Sequence, residues 1–168
     1  SGLVLRTTFI TGFPGETDED FQQLYDWVAE VEFDRVGVFT YSIEENTAAG
    51  EMDNQVPEHI KVQRRDALMS LQQGISERKT QALVGQTMRV LVDGVSEEHE
   101  YVFEGRHYGQ APDIDGVVYL SYEDGAPPAT PGTMVDVEIT SASAYDLVGI
   151  VLPDSPLILS EDQARIRV

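Results

Sequence analysis

The residues best placed to do chemistry in this chain are Gly12-Phe13-Pro14-Gly15-Glu16, followed at once by Thr17-Asp18-Glu19-Asp20. Pro14 fixes φ inside the turn, while Gly12 and Gly15 can take backbone angles closed to other residues, so the main chain can lie close to a flat ligand. The pattern is neither GxGxxG nor GxxxxGKS, and Glu16 with three acids in the next helical turn repels phosphate. A neutral or cationic group, such as an adenine edge or a sulfonium, fits this chemistry. An ordinary turn at the end of a parallel strand fits it equally, and local chemistry leaves both readings open.

Other chemistries are excluded or carry no signal. The 168 residues contain no cysteine, which removes disulfides, a thiol nucleophile and any cysteine-ligated zinc or iron-sulfur site from this chain. His59, His99 and His107 are scattered without metal-ligand spacing and read as surface histidines. With 30 Asp and Glu, paired carboxylates are everywhere and identify nothing.

The elements that position the glycine turn are legible on both sides of it. Leu3 to Ile10 is rich in Val, Leu, Thr, Phe and Ile and reads as a buried strand. Thr17 caps a helix through the Asp20 N–H, as in a capping box with Asp in the Glu position. Phe21, Leu24, Tyr25, Val28 and Val31 recur at helical spacing. Arg35 to Tyr41 returns as a second strand, completing a parallel strand-helix-strand unit. Ser42 to Gln55 reads as a loop on the same sheet edge as the Gly12 turn. Pro57 then opens a helix to about Leu83. Its inner stripe is Ile60, Arg64, Ala67, Leu68, Leu71 and Ile75. Lys61, Arg64, Arg65, Arg78 and Lys79 form a basic face, solvated or paired with the acidic remainder. Gly74 costs about 1 kcal/mol there and marks a kink or a close approach.

From Gly85 the grammar changes to short strands between turn residues: Thr87–Val92, Glu100–Tyr108, Gly116–Tyr122, Met134–Thr140 and Asp146–Val151. Five such strands suit a small OB-like barrel, a fold that binds polymers. Phe103, Arg106, His107, Tyr108 and Tyr122 are candidate contacts, with core packing the competing role for the aromatics. Residues 81 to 151 carry two basic against twelve acidic residues, within a net charge of −19. That disfavours nucleic acid and favours a basic protein surface, although solubility or a salty cytoplasm explains the same acidity. No stretch approaches the ~20 apolar residues of a membrane span, and the start lacks the form of a signal peptide, so a cytoplasmic location without membrane contact is expected.

Several of these stretches together resemble a known family. Arg6 to Phe21 (RTTFITGFPGETDEDF), Phe33 to Ala49, Gln55 to Ser76, Gly105 to Tyr119 (GRHYGQAPDIDGVVY) and Tyr145 to Gly149 are similar to the C-terminal half of a methylthiotransferase, a radical S-adenosylmethionine enzyme. The likeness covers roughly residues 3 to 151. The APDIDG segment and the acidic barrel resemble the branch that methylthiolates the β-carbon of an aspartate of ribosomal protein S-twelve.

The resemblance implies an α/β part, the C-terminal end of a radical-SAM partial TIM-like barrel, followed by an all-β five-stranded OB-like TRAM barrel. Its divisions would be residues 1–56 for the α/β part, 57–82 for a connecting helix, 83–151 for the TRAM domain and 152–168 for an unassigned tail. It places Arg6, Gly12, Phe13, Pro14, Gly15, Glu16 and Tyr41 against S-adenosylmethionine. It assigns substrate docking to Phe103, Arg106, Tyr108, Asp113 and Asp115, with no catalytic residue and no metal ligand in this chain. The full enzyme would use S-adenosylmethionine and two 4Fe-4S clusters held by a preceding N-terminal half, so the chain alone is expected to be inactive. The implied partners are the basic ribosomal protein and that N-terminal half. An RNA-binding relative that modifies transfer-RNA adenosine and a stand-alone binding module are the alternatives. Asn46 stands where the family has glycine, and asparagine also enters the left-handed region. Strands 3–11 and 35–41 would have exposed edges, from which dimerisation or partial disorder is expected.

Overall fold

A computed structural model describes residues 2–96, 102–123, 128–153 and 158–159. The chain divides into two compact units, Ser1–Ser76 and Glu77–Val168.

In the first unit, β1 (Arg6–Thr11) and β2 (Arg35–Thr40) pair in parallel, Arg6 opposite Arg35 through Thr11 opposite Thr40. Helix α1 (Asp18–Val31) crosses between them. Its start is the expected capping box: Asp20 N–H donates to Thr17 Oγ1 at 3.1 Å and Thr17 N–H to Asp20 Oδ2 at 2.9 Å. These bonds to Thr17, backbone first, hold the Asp20 carboxyl below its ordinary value. Helix α2 (Glu58–Gln81) runs unbroken through Gly74 and supplies Leu68 and Ile75 to the core around Val28, Phe33 and Val38.

The expectation that the first strand is buried on both faces is corrected. Thr7, Phe9 and Thr11 face the helices, whereas Arg6, Thr8 and Ile10 are exposed. Ile10 is 57% and Phe39 62% open to solvent. A two-stranded sheet covered by helices on one side leaves its other face bare, however apolar its residues. A second correction concerns α2, whose buried stripe includes Lys61, Arg64, Gln72 and Ser76 beside Leu68 and Ile75. Lys61 is an interior residue rather than part of a solvated face, whereas Arg64 is on the inner stripe as expected and paired with Glu16 and Asp18.

The second unit is a closed barrel. Strands β3 (Thr87–Val95), β4 (Phe103–His107), β5 (Val118–Ser121), β7 (Leu147–Val151) and β6 (Thr133–Ala142) neighbour one another in that order, and β3 pairs with β6 to close the ring. β5 and β7 run parallel and the other barrel neighbours antiparallel, which gives the OB-like arrangement. Register shifts between Val92 and Gly94 and between Ile139 and Ser141 bend the two longest strands as closure requires. Val90, Val92, Val118, Leu120, Val135, Val137, Ile139 and Leu147 fill the interior.

The five expected strands therefore form, with ends displaced by a few residues. Glu100, Tyr101 and His99 lie outside the described residues. Within the tail that sequence left unassigned, β8 (Ile158–Leu159) pairs with Met134 and Thr133 of β6. His107 is half-buried, and its Nδ1 accepts the Gly109 N–H at 3.0 Å, so it holds a turn rather than standing free on the surface. His59 is exposed as expected.

Strand packing at Gly149 is close: a Cβ there would lie 2.3 Å from Val137 Cγ1 and 2.8 Å from the Glu138 carbonyl oxygen. Gly149→Ala should cost the barrel about 1–3 kcal/mol by overpacking, measured by urea unfolding followed through the barrel's methyl resonances. Wild-type stability in this variant would contradict the observed approach of β6 and β7.

Candidate functional site

Two regions gather the residues singled out by sequence, one in each unit. At the C-terminal ends of β1 and β2, Gly12 and Gly15 take φ of 75° and 91°, and Glu16 N–H closes the turn on the Phe13 carbonyl at 2.9 Å. The loop after β2 meets this turn, since Gly15 N–H donates to the Asn54 carbonyl at 3.0 Å. Asn46 in that loop has φ 62°, the left-handed conformation expected of it. Tyr41 N–H donates to the Thr11 carbonyl at 2.8 Å, and its ring stands edge-on to Phe13 with centroids 5.3 Å apart.

The Glu16 carboxylate is used inside the protein. Oε2 accepts the Gly12 N–H at 2.9 Å, and Oε1 accepts from Arg64 Nη1 at 2.6 Å. Arg64 Nη2 reaches Asp18 Oδ1 at 2.6 Å. Paired with two acids, the Arg64 guanidinium has its pKa raised, although burial works the other way. Beside the turn lies a recess of about 420 Å³, lined by Gly15, Asn54, Gln55, Ile60 and Arg64 among others.

The structure thus brings Gly12, Phe13, Pro14, Gly15, Glu16 and Tyr41 together. Arg6 lies at the other end of β1, five residues and about 17 Å of strand from Thr11. Sequence reasoning missed Lys61, whose ammonium donates to the Tyr41 carbonyl at 2.9 Å. The available signal was its place one turn before Arg64 on the inner side of α2.

This edge offers aromatic surface rather than an anion site. The N–H groups of Gly12, Gly15, Glu16 and Thr17 all donate within the chain, so no anion nest is offered. Phe13 presents an exposed aromatic ring, and the buried Tyr41 hydroxyl has no hydrogen-bond partner among the described residues. Iron-sulfur clusters do not fit a chain without cysteine. Among the described residues no three histidines or acids stand close enough to hold a metal ion.

The barrel carries the second region, an open cleft of about 570 Å³ lined by Asp93, Glu104, Asp113, Asp115, Asp146 and Tyr119, together with Gly94, Val95, Gly116 and Val117. An adjoining recess of about 380 Å³ shares four of these acids and adds Arg106. The rim loop is tightly built. Buried Gln110 accepts the His107 N–H at 3.0 Å and donates to the Gly116 carbonyl at 2.6 Å. Asp115 Oδ2 accepts the Ala111 N–H at 2.7 Å, and Asp146 Oδ1 the Val117 N–H at 3.0 Å. Tyr108 and Ile114 project from this loop, 74% and 75% exposed. Of the expected docking residues, Asp113 and Asp115 line the cleft, Tyr108 is on its loop, and Arg106 is ion-paired with Asp93. Phe103 instead packs on the barrel core, edge-on to Tyr122. Tyr122 is also a core residue. Its hydroxyl accepts the Ala129 N–H at 3.2 Å, and burial pushes its pKa up.

Comparison with known proteins agrees with this division. Residues 84–152 match the TRAM domain family. Over 152 residues the chain is 52% identical to the ribosomal protein uS12 methylthiotransferase RimO of Bdellovibrio bacteriovorus, covering 90% of this chain and 32% of that relative. The RimO proteins of Anaeromyxobacter sp. strain K and Vibrio cholerae are 51% and 50% identical over 92% and 91% of this chain. The chain spans about a third of the length of the curated relatives it matches.

Burial raises the pKa of the Asp93 carboxyl, Arg106 opposes the shift, and the Asp113 charge adds to it. With a folded-state pKa above the unfolded one, Asp93 disfavours the fold at neutral pH, and this is relieved as pH falls through the folded value. Asp113→Asn should therefore lower the Asp93 pKa, measured by NMR titration of its side-chain carboxyl carbon. An unmoved Asp93 would mean the two carboxylates do not share one field.

Proposed function

The chain corresponds to the C-terminal third of the RimO methylthiotransferases, TRAM domain included, and on that premise we propose that it forms the adenosyl-binding edge and the substrate-docking domain of such an enzyme. The reaction is the addition of a methylthio group to the β-carbon of an aspartate of ribosomal protein uS12. The observation that carries the docking part is the acid-lined cleft. Five carboxylates surround about 570 Å³, and among the described residues neither Glu104 nor Asp113 has a cationic partner. A basic protein segment supplies the missing charge, and exposed Ile114 and Tyr108 offer apolar contact beside it. Nucleic acid would bring phosphates to the same carboxylates, which argues against a transfer-RNA substrate.

In the whole enzyme S-adenosylmethionine supplies the radical chemistry that opens an unactivated C–H bond, and this chain's share is to hold it. Phe13 offers a ring face to the adenine and the Tyr41 hydroxyl offers one hydrogen bond. The two 4Fe-4S clusters need cysteines that this chain does not have, so they belong to an N-terminal part and the chain alone is inactive. The open face of the β1–β2 sheet, with Ile10 and Phe39 bare, is where that part completes the barrel. No helix among the described residues is long and apolar enough to cross a membrane, and we place the enzyme in the cytoplasm with its ribosomal substrate.

Calorimetric titration of the chain with uS12, and separately with a transfer-RNA anticodon stem-loop, tests the docking reading at two salt concentrations. Binding to uS12 alone is expected, weakening as salt rises and falling about tenfold or more in a Glu104→Gln, Asp113→Asn double variant. Binding to the RNA alone would overturn it.

A further inference from the structure

Helix α2 sends two buried cations to the edge formed by the Gly12 turn and Tyr41. Lys61 is 4% and Arg64 6% exposed. The Lys61 ammonium donates to the Tyr41 carbonyl at 2.9 Å, lies 5.2 Å from the centre of the Tyr41 ring and 3.5 Å from Glu58 Oε2. Its methylene stem fills the space left by a glycine side chain, since a Cβ on Gly12 would stand 2.3 Å from Lys61 Cγ. The Lys61 main-chain carbonyl accepts the buried Thr11 hydroxyl at 3.2 Å. One residue thus touches the end of β1, the first residue of the turn and the residue that follows β2.

Arg64 does the same for the far side of the turn. Besides its carboxylate partners it donates to the Glu16 carbonyl at 3.3 Å, and its guanidinium lies 5.5 Å from the centre of the Phe21 ring. Glu16 passes the constraint back to the Gly12 N–H. A buried ammonium is costly and a methionine would fill the same space without desolvation, so a lysine here contributes directed bonding more than packing.

We propose that Lys61 and Arg64 are positioning residues for the adenosyl-binding edge. Together they fix the distance from the Gly12 turn to the end of β2, and with it the place where Phe13 and Tyr41 stand. This rests on the assignment of that edge to the adenosyl group made above.

Lys61→Met keeps the stem and removes the ammonium, and Arg64→Met can be compared with Arg64→Lys. In the full chain, amide hydrogen exchange read by NMR should rise about tenfold or more at Gly12, Gly15 and Tyr41 in the methionine variants. Ladder amides inside β1 and β2 should keep wild-type rates, and Arg64→Lys should recover part of the protection. Unchanged exchange at the turn, or an equal rise throughout the first unit, would overturn the proposal. A second arm follows the Phe13 and Tyr41 resonances during titration with S-adenosylhomocysteine. Weakened response in Lys61→Met at unchanged thermal midpoint supports the proposal, and a wild-type response overturns it. If the wild-type chain shows no response, the adenosyl assignment falls, and exchange alone decides whether the two cations set the turn.

Discussion

Closure of the barrel through the β3–β6 pairing is the constraint on which the second unit depends. Once β3 is paired with both β4 and β6, inward positions must be apolar and of modest size. Six valines with Leu120, Ile139 and Leu147 meet that demand within the buried cluster and its packed neighbour Val151. A ring this narrow has no interior place for a charge, so the barrel's described acids, such as Asp93, Glu104, Asp113 and Asp136, lie outside the buried cluster. The cleft at Asp93, Glu104 and Asp113 is therefore the joint product of an acidic composition and a small closed core.

The first unit is organised by a different need, the satisfaction of polar groups at the ends of two parallel strands. The N–H groups of Gly12, Gly15, Glu16 and Thr17 are consumed by Glu16, Asn54, Phe13 and Asp20 respectively. That internal accounting turns a glycine-rich turn away from phosphate and leaves aromatic surface and one phenol as its free features. The sheet's open face shows what the same unit lacks: helices cover one side only, and the apolar residues on the other remain exposed.

Local rules were legible wherever one residue type has one physical job. The Thr17–Asp20 capping box, the left-handed Asn46 and the five barrel strands all follow from cap, turn and alternation chemistry. Partner-dependent features were not legible. Lys61 and Gln72 lie on the buried stripe beside the expected Arg64, yet a hydrophobic period passes over them because their burial depends on acceptors contributed by Tyr41 and Phe33. Phe103 and Tyr108 are five residues apart in the chain, but one packs on the core and the other stands in solvent. The exposed side of β1 and the β8 pairing likewise depend on which element lies opposite, which composition does not encode.

The short β8 pairing has a further meaning for how the molecule behaves among its own copies. β7 leaves β6 at Val137, and β8 takes the next part of that flank at Thr133 and Met134. Uncovered, that stretch of main chain is a template on which another strand can add. A chain ended at Val151 would expose it, so two residues that line neither candidate region act as a guard against edge-to-edge association.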